Sequence, residues 1–196
     1  AGWTESQVYT GSEYSKSDVT FANVVNGHTA TIDYNIHGTE VSTYTGVFDE
    51  DSFKVMSGNE EVTANYNLKE KTEGELEIIP VELTIKITGK DETYTYNGAE
   101  QTLTTYGAEV SESTTLYDDN KVHYTGKGAY GTDYQENAYK ANLQAADFTY
   151  DDANINATFV IEKDIQLWIA KRDVTVTGAG WTESQVYTGS EYSKSD

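Results

Sequence analysis

PVELTIKITGKDETYTYNGAE, residues 80–100, decides the fold, because it returns in diverged form as KRDVTVTGAGWTESQVYTGSE at residues 171–191. The two align without gaps: Thr84 falls on Thr175, Gly89 on Gly180, Glu92 on Glu183, Tyr96 on Tyr187, Gly98 on Gly189 and Glu100 on Glu191. In the first copy Leu83, Ile85 and Ile87 alternate with polar residues, and in the second Val174 and Val176 do the same. That spacing puts the apolar side chains on one face of an extended segment, so each copy predicts a half-buried strand followed by a Tyr-x-Gly turn.

Outward from this stretch the chain proves repetitive. Residues 1–18, AGWTESQVYTGSEYSKSD, recur unchanged at 179–196, a period of 178 residues. Measured at the Tyr-x-Gly mark the register runs Tyr9, Tyr96, Tyr187, with spacings of 87 and 91 that sum to that period. The long repeat is thus a pair of diverged modules. Their ends agree as well: GELEIIP (74–80) aligns with IQLWIAK (165–171), each preceded by an Asn-containing strand, NYNL (65–68) or NATF (156–159). The organisation expected is a first module at 1–79 lacking its first strand, a second at 80–170, and the opening strands of a third at 171–196.

Elsewhere the period is also that of strands. In HTATIDYNIH (28–37), Ala30, Ile32, Tyr34 and Ile36 alternate with Thr29, Thr31, Asp33 and Asn35. Helical spacing over three turns is absent; the best helical candidate is NLQAADF (142–148), matched by VFDEDSF (47–53) and read as one turn before a strand. The fold class expected is mainly β: two small β-sandwich or β-grasp-like modules end to end, with at most one or two short helical turns.

Composition limits the partners. Of 196 residues, 33 are Asp or Glu and 13 Lys or Arg, a net charge of −20 that repels nucleic acid and anionic lipid. The absence of Cys removes disulfides, thiolate metal sites and Cys nucleophiles. With no export signal, lipidation box or anchor in it, the chain reads as a piece of a longer protein.

Three marks together, YTG at Tyr9 with YNG at Tyr96, NYNL…GELEI over 65–78, and DVTVTG at 173–178, resemble the MBG and YDG-type repeat modules of bacterial cell-surface proteins, relatives in style of bacterial Ig-like repeats. NATF departs from the Asn-Tyr pair usual in that family. The resemblance implies a tandem stalk or adhesive array, extracellular, at a Gram-positive type of cell surface or wall. It supplies no catalytic residue.

Several patterns mimic chemistry. Gly126, Gly128 and Gly131 in GKGAYG fit the dinucleotide-binding glycines, but TDYQENAYK follows with no helix cap or apolar stripe, so a glycine-rich loop between strands is expected. The acidic clusters at 49–51, 118–120 and 147–156 lack the spacing of a helical calcium loop and read as solvated turns; weak calcium binding, if any, falls to 147–154. His28, His37 and His123 form no zinc-like spacing, and no Gly-x-Ser-x-Gly elbow is present. Carboxylate pairs suited to glycoside hydrolysis arise on any surface this acidic. A Lys86–Asn156 crosslink is disfavoured because Lys86 alternates with the inward Ile85 and Ile87.

No catalytic, cofactor or metal residue is therefore assigned, and no enzyme is expected. Sixteen Tyr, with Trp3, Trp168 and Trp181 on or beside strands, leave a binding alternative in which exposed rings take a host glycan or protein. Trp168 is expected to face away from the core, toward the next module, because Leu167 and Ile169 face inward. The leading expectation is a non-catalytic structural or adhesive stalk whose partners are its neighbouring modules. Since 1–79 has no counterpart of DVTVTG, the tail 173–196 is expected either to pair with the edge of the second module or to donate a strand to another molecule.

Overall fold

The structure, a computed structural model, describes residues 6–178, 180 and 184–193. Trp3 and Trp181 lie outside the described residues, as does part of each copy of the 18-residue repeat. The fold is mainly β, in several small sheets. Helical structure among the described residues consists of single 3-10 turns at Thr63–Asn65, Asp119–Lys121 and Ala145–Asp147.

Residues 6–79 carry β1 (Gln7–Val8), β2 (Tyr14–Lys16), β3 (His28–Gly38), β4 (Ser42–Thr45), β5 (Val47–Ser57), β6 (Glu60–Glu61) and β7 (Glu75–Ile79). These build one sheet in the order β1-β7-β4 and another in the order β2-β3-β5-β6. The alternation expected of HTATIDYNIH is observed: Ile32, Tyr34 and Ile36 are buried, and Thr29, Thr31, Asp33 and Asn35 are exposed. The core of this half is Tyr34, Ile36, Leu76 and Ile78.

VFDEDSF is not a helical turn. It lies in β5, where the register against β3 slips between Thr31 and Asp33. Polar side chains hold the bulge: Asp33 N–H donates to Ser52 Oγ at 2.7 Å, and Asp51 N–H donates to Asp49 Oδ1 at 3.1 Å. In the other half NLQAADF does make the expected turn before a strand, closed by a capping box between Gln144 and Asp147.

Residues 81–170 carry β8 (Val81–Gly89), β9 (Asp91–Thr95), β10 (Gln101–Leu103), β11 (Tyr106–Val110), β12 (Val122–Tyr124), β13 (Ala129–Gly131), β14 (Tyr139–Lys140), β15 (Phe148–Tyr150), β16 (Ile155–Lys163) and β17 (Gln166–Ala170). Their sheets are β11-β8-β16, β14-β17-β9, β10-β13 and β12-β15. The core gathers Ile85, Ile87, Leu103, Val122, Phe148, Ile165 and Leu167. Four of these, Ile85, Ile87, Ile165 and Leu167, are fully buried, each contributing about 1.5–3 kcal/mol.

No described strand of the first half pairs with one of the second, and only Pro80 separates β7 from β8. The halves, modules one and two below, repeat in backbone detail. In module one Gln7 lies opposite Ile78 and Val8 opposite Ile79, in parallel. In module two Tyr94 lies opposite Ile169 and Thr95 opposite Ala170, also in parallel, at the offsets of 87 and 91 read from the sequence. Tyr9 N–H donates to Ile79 O and Tyr96 N–H to Ala170 O, both at 2.9 Å.

The turn that follows keeps its geometry although its residues differ. Gly11, Gly98 and Gly189 take φ of 75°, 83° and 77°, a left-handed region open to glycine at little cost. Across the turn Tyr14 Oη donates to Val8 O at 2.8 Å, Gln101 Nε2 donates to the equivalent Thr95 O at 3.3 Å, and Tyr192 Oη donates to Val186 O.

Of the two arrangements expected of the tail, pairing with the edge of module two is not observed. Residues 171–178 form no strand; Val174 and Val176 are 85% and 90% exposed.

Candidate functional site

The feature that distinguishes module two is the seam between its first and last strands. β8 and β9 run through residues 81–95 with one break at Lys90, and β16 and β17 run alongside through 155–170. The pairing is parallel throughout, from Val81 opposite Ile155 to Ala170 opposite Thr95. Alternation explains the strands individually, since Ile85, Ile87, Ile165, Leu167 and Ile169 all point into the core.

At the bend the two strands approach closely. A Cβ on Gly89 would lie 2.4 Å from both the carbonyl carbon of Asp164 and the nitrogen of Ile165, so this position accepts only glycine without displacement. Asp164 anchors the same bend from the other side. Its carboxylate accepts from Asn142 N–H at 3.0 Å and from Leu143 N–H at 3.1 Å, tying the loop before β15 to the seam.

Polar side chains cross the seam on its outer face. Asn156 Nδ2 donates to Glu82 Oε1 at 2.7 Å, Lys163 Nζ donates to Asp91 Oδ2 at 2.7 Å, and Lys86 Nζ lies 2.8 Å from Glu162 Oε1. Hydrogen bonding to Glu162 holds the Lys86 ammonium above its ordinary range. All three links are solvent-screened and individually weak, but each joins β8–β9 to β16–β17. The Lys86 side chain points outward as expected. It pairs with Glu162, and the parallel register sets Asn156 four residues, about 13 Å, from the position opposite Lys86.

A second feature is the junction between modules. Val41 N–H donates to Asn154 Oδ1 at 2.8 Å, and Asn154 Nδ2 donates to the Glu40 carboxylate. Behind it Lys121 Nζ donates to Asp152 Oδ2 at 2.7 Å. That hydrogen bond, with another from Asn154 N–H, holds the Asp152 carboxyl below the usual range. Burial first, then the Glu40 and Asp152 carboxylates, push the Tyr9 hydroxyl up.

The remaining sequence patterns resolve as follows. In GKGAYG, residues 126–128 make the turn between β12 and β13, with Gly128 at φ 83°, and residues 129–131 are β13, which leads on to β14, not to a helix. In the acidic stretches Asp118 caps its 3-10 turn through Asn120 N–H, Asp147 belongs to the capping box, and Asp152 and Asn154 serve the junction. His28 Nδ1 lies 2.7 Å from Tyr66 Oη and His37 Nδ1 lies 3.1 Å from Asn35 Nδ2. Among the described residues no three His, Asp or Glu converge on a metal-sized site, and no helix is long and apolar enough to cross a membrane. Trp168 alternates with the buried Leu167 and Ile169 as expected and is half-buried. Tyr130 and Tyr134 are 43% and 46% exposed, with Lys127 Nζ and Lys171 Nζ over their rings at 3.4 and 4.5 Å.

The polar links Glu82–Asn156, Asp91–Lys163 and Lys86–Glu162 were not legible in the sequence. A charged residue on the outer face of a strand carries no sign of its partner until the register is known. Comparison with known proteins adds no analogy, since no family model, curated protein or solved structure matches this chain.

Proposed function

We propose that the chain is a load-bearing structural segment, a stalk of β modules at a bacterial cell surface, with no catalytic role. One observation carries the reading: the strand by which the chain enters module two and the strand by which it leaves lie side by side in parallel. Tension applied at Pro80 and Lys171 pulls β8 and β17 lengthwise past each other. The backbone hydrogen bonds of the seam are then sheared together instead of being opened one at a time, so resistance sums over the ladder. Pro80 alone joins the modules, and the Asn154 contacts clasp Glu40 and Val41, so force passes between modules without a slack linker. The net charge of −20 keeps such segments soluble and apart.

Single-molecule stretching tests this. Pulled through its ends, module two is expected to yield at a force several-fold higher than when attachment points at Tyr106 and Lys163, which lie opposite Gly89 and Thr88, peel β11 and β16 off β8 from one end. Equal rupture forces in the two geometries would reject the load-bearing reading.

Binding of a host glycan or protein through exposed rings is the second reading, and Tyr130 and Tyr134 are the residues that favour it. Lysine ammonium groups already cover these rings, which leaves less free face for sugar stacking.

A further inference from the structure

Module one contains an open groove at the strand position that β8 fills in module two. In module two β8 lies between β11 and β16. At the offsets of 87 and 91, the counterparts of β11 and β16 in module one are residues 19–23 and 64–72. Residues 17–24 and 66–74 belong to no strand, and they face each other across a groove of about 1310 Å³. Its floor is apolar, with Ile32 and Tyr34 of β3 and Phe53 and Val55 of β5. The walls are joined at one end, where Val25 N–H donates to Tyr66 Oη at 3.3 Å. Nothing among the described residues stands where β8 stands in module two.

We propose that this groove binds residues 171–178 of a second copy of the chain, inserted as the missing strand. The first ground is the repeat. KRDVTVTG immediately precedes the second copy of AGWTESQVYTGSEYSKSD, so it occupies, in sequence, the place directly before module one's own opening. It also aligns with PVELTIKI, whose last seven residues lie in β8.

The repeat also fixes a register. The register of module two sets Ile87 opposite Ala108 and Leu83 opposite Ala157. Carried over by the same offsets, Gly178 comes opposite Phe21 and Val174 opposite Tyr66. In these two pairs the wall residue grows where the strand residue shrinks, whereas at the centre Val176 would meet Asn23 and Leu68 where Ile85 meets Val110 and Phe159, so the Gly178–Phe21 contact is the one that tests the register.

Charge and connectivity agree. Arg172 would lie beside Ala64, a few residues from the exposed Glu60 and Glu61 of β6, which brings the tail's basic Lys171–Arg172 pair to an acidic rim. The tail leaves β17 through Lys171 as β8 leaves β7 through Pro80, so a seated tail continues into the next module as the covalent junction does. Its own groove is out of reach. Ala170 to Val174 spans about 13 Å at most, whereas module two's exit strands alone extend about 50 Å beyond the junction. Residues 179–196 of the donor match residues 1–18 of the acceptor, so any exchange of that segment replaces like with like. The net gain is burial of the inserted strand, whose Val174 and Val176 are exposed in the single chain. This inference stands on the groove and the tail and does not depend on the load-bearing reading.

Light scattering on the full chain during size-exclusion chromatography decides it, in about 0.5 M salt to screen the repulsion between chains. The wild type is expected to exceed its 21.7 kDa chain mass, increasingly with concentration. The tail variant V174D/V176D, altered only where the chain is exposed, should remain at the single-chain mass. G178I should also remain single, because isoleucine would meet Phe21, and F21A/G178I should associate again. A wild type that stays at the single-chain mass up to about 1 mM overturns the proposal, as does association that survives V174D/V176D. An F21A/G178I chain that keeps its β circular-dichroism spectrum yet fails to associate overturns the register.

Discussion

Gly89 shows how a single residue can set the closeness of two strands. Gly89→Ala is expected to destabilise module two by about 1–3 kcal/mol in denaturant unfolding, because the added methyl must displace backbone at Asp164 and Ile165. Gly107→Ala is the control, since the nearest atom, Thr88 O, lies 3.9 Å from the position of its Cβ, and little change is expected there. The sequence marks Gly89 only as a point of alignment with Gly180. Its physical reason lies in a segment far along the chain that passes over it, which no local pattern reveals. Tyr14 and Gln101 show the converse: unlike side chains donate to the same carbonyl of the turn, so the hydrogen bond persists where residue identity does not.

Among elements, strand positions and inward faces were legible and partners were not. Alternation located β3, β8 and β17, because a strand with one buried face writes that face into every second residue. It is silent on neighbours, so the parallel seam, the most consequential pairing in module two, emerged only with the fold. VFDEDSF misled because Asp and Ser at a bulge look like Asp and Ser at a helix start: both use side chains to satisfy backbone N–H groups. The tail's alternating Val174 and Val176 do not form a strand because no neighbouring strand is present to pair with them. The same reasoning predicts hydrogen exchange. In the V174D/V176D chain, amides of residues 66–74, which flank the groove without a strand partner, should exchange much faster than those of the counterpart segment 157–163 within β16. Equal protection of the two segments would show that the groove is already filled.

At the scale of the molecule, the sequence announced two modules but not what fastens them. The junction depends on Asp152, whose carboxyl accepts from Lys121 and from Asn154 N–H. Because its folded pKa is lowered from the ordinary 3.8, its contribution is complete above that value and is lost as pH falls through the folded pKa. Asp152→Asn should therefore lower the melting temperature at pH 7 and weaken the part of the acid-induced decline that arises below about pH 4, where the wild type loses the interaction too. Melts at pH 7 and pH 3 would measure it, and an unchanged difference between wild type and variant at the two pH values would refute the role of the carboxylate. The parallel seam has one more consequence. Folded, module two spans about 50 Å along β16 and β17, whereas its 91 residues drawn straight would reach about 310 Å. A tether that gave way at the seam would pay out some 260 Å of hidden length, absorbing a sudden tug while its covalent thread stayed whole.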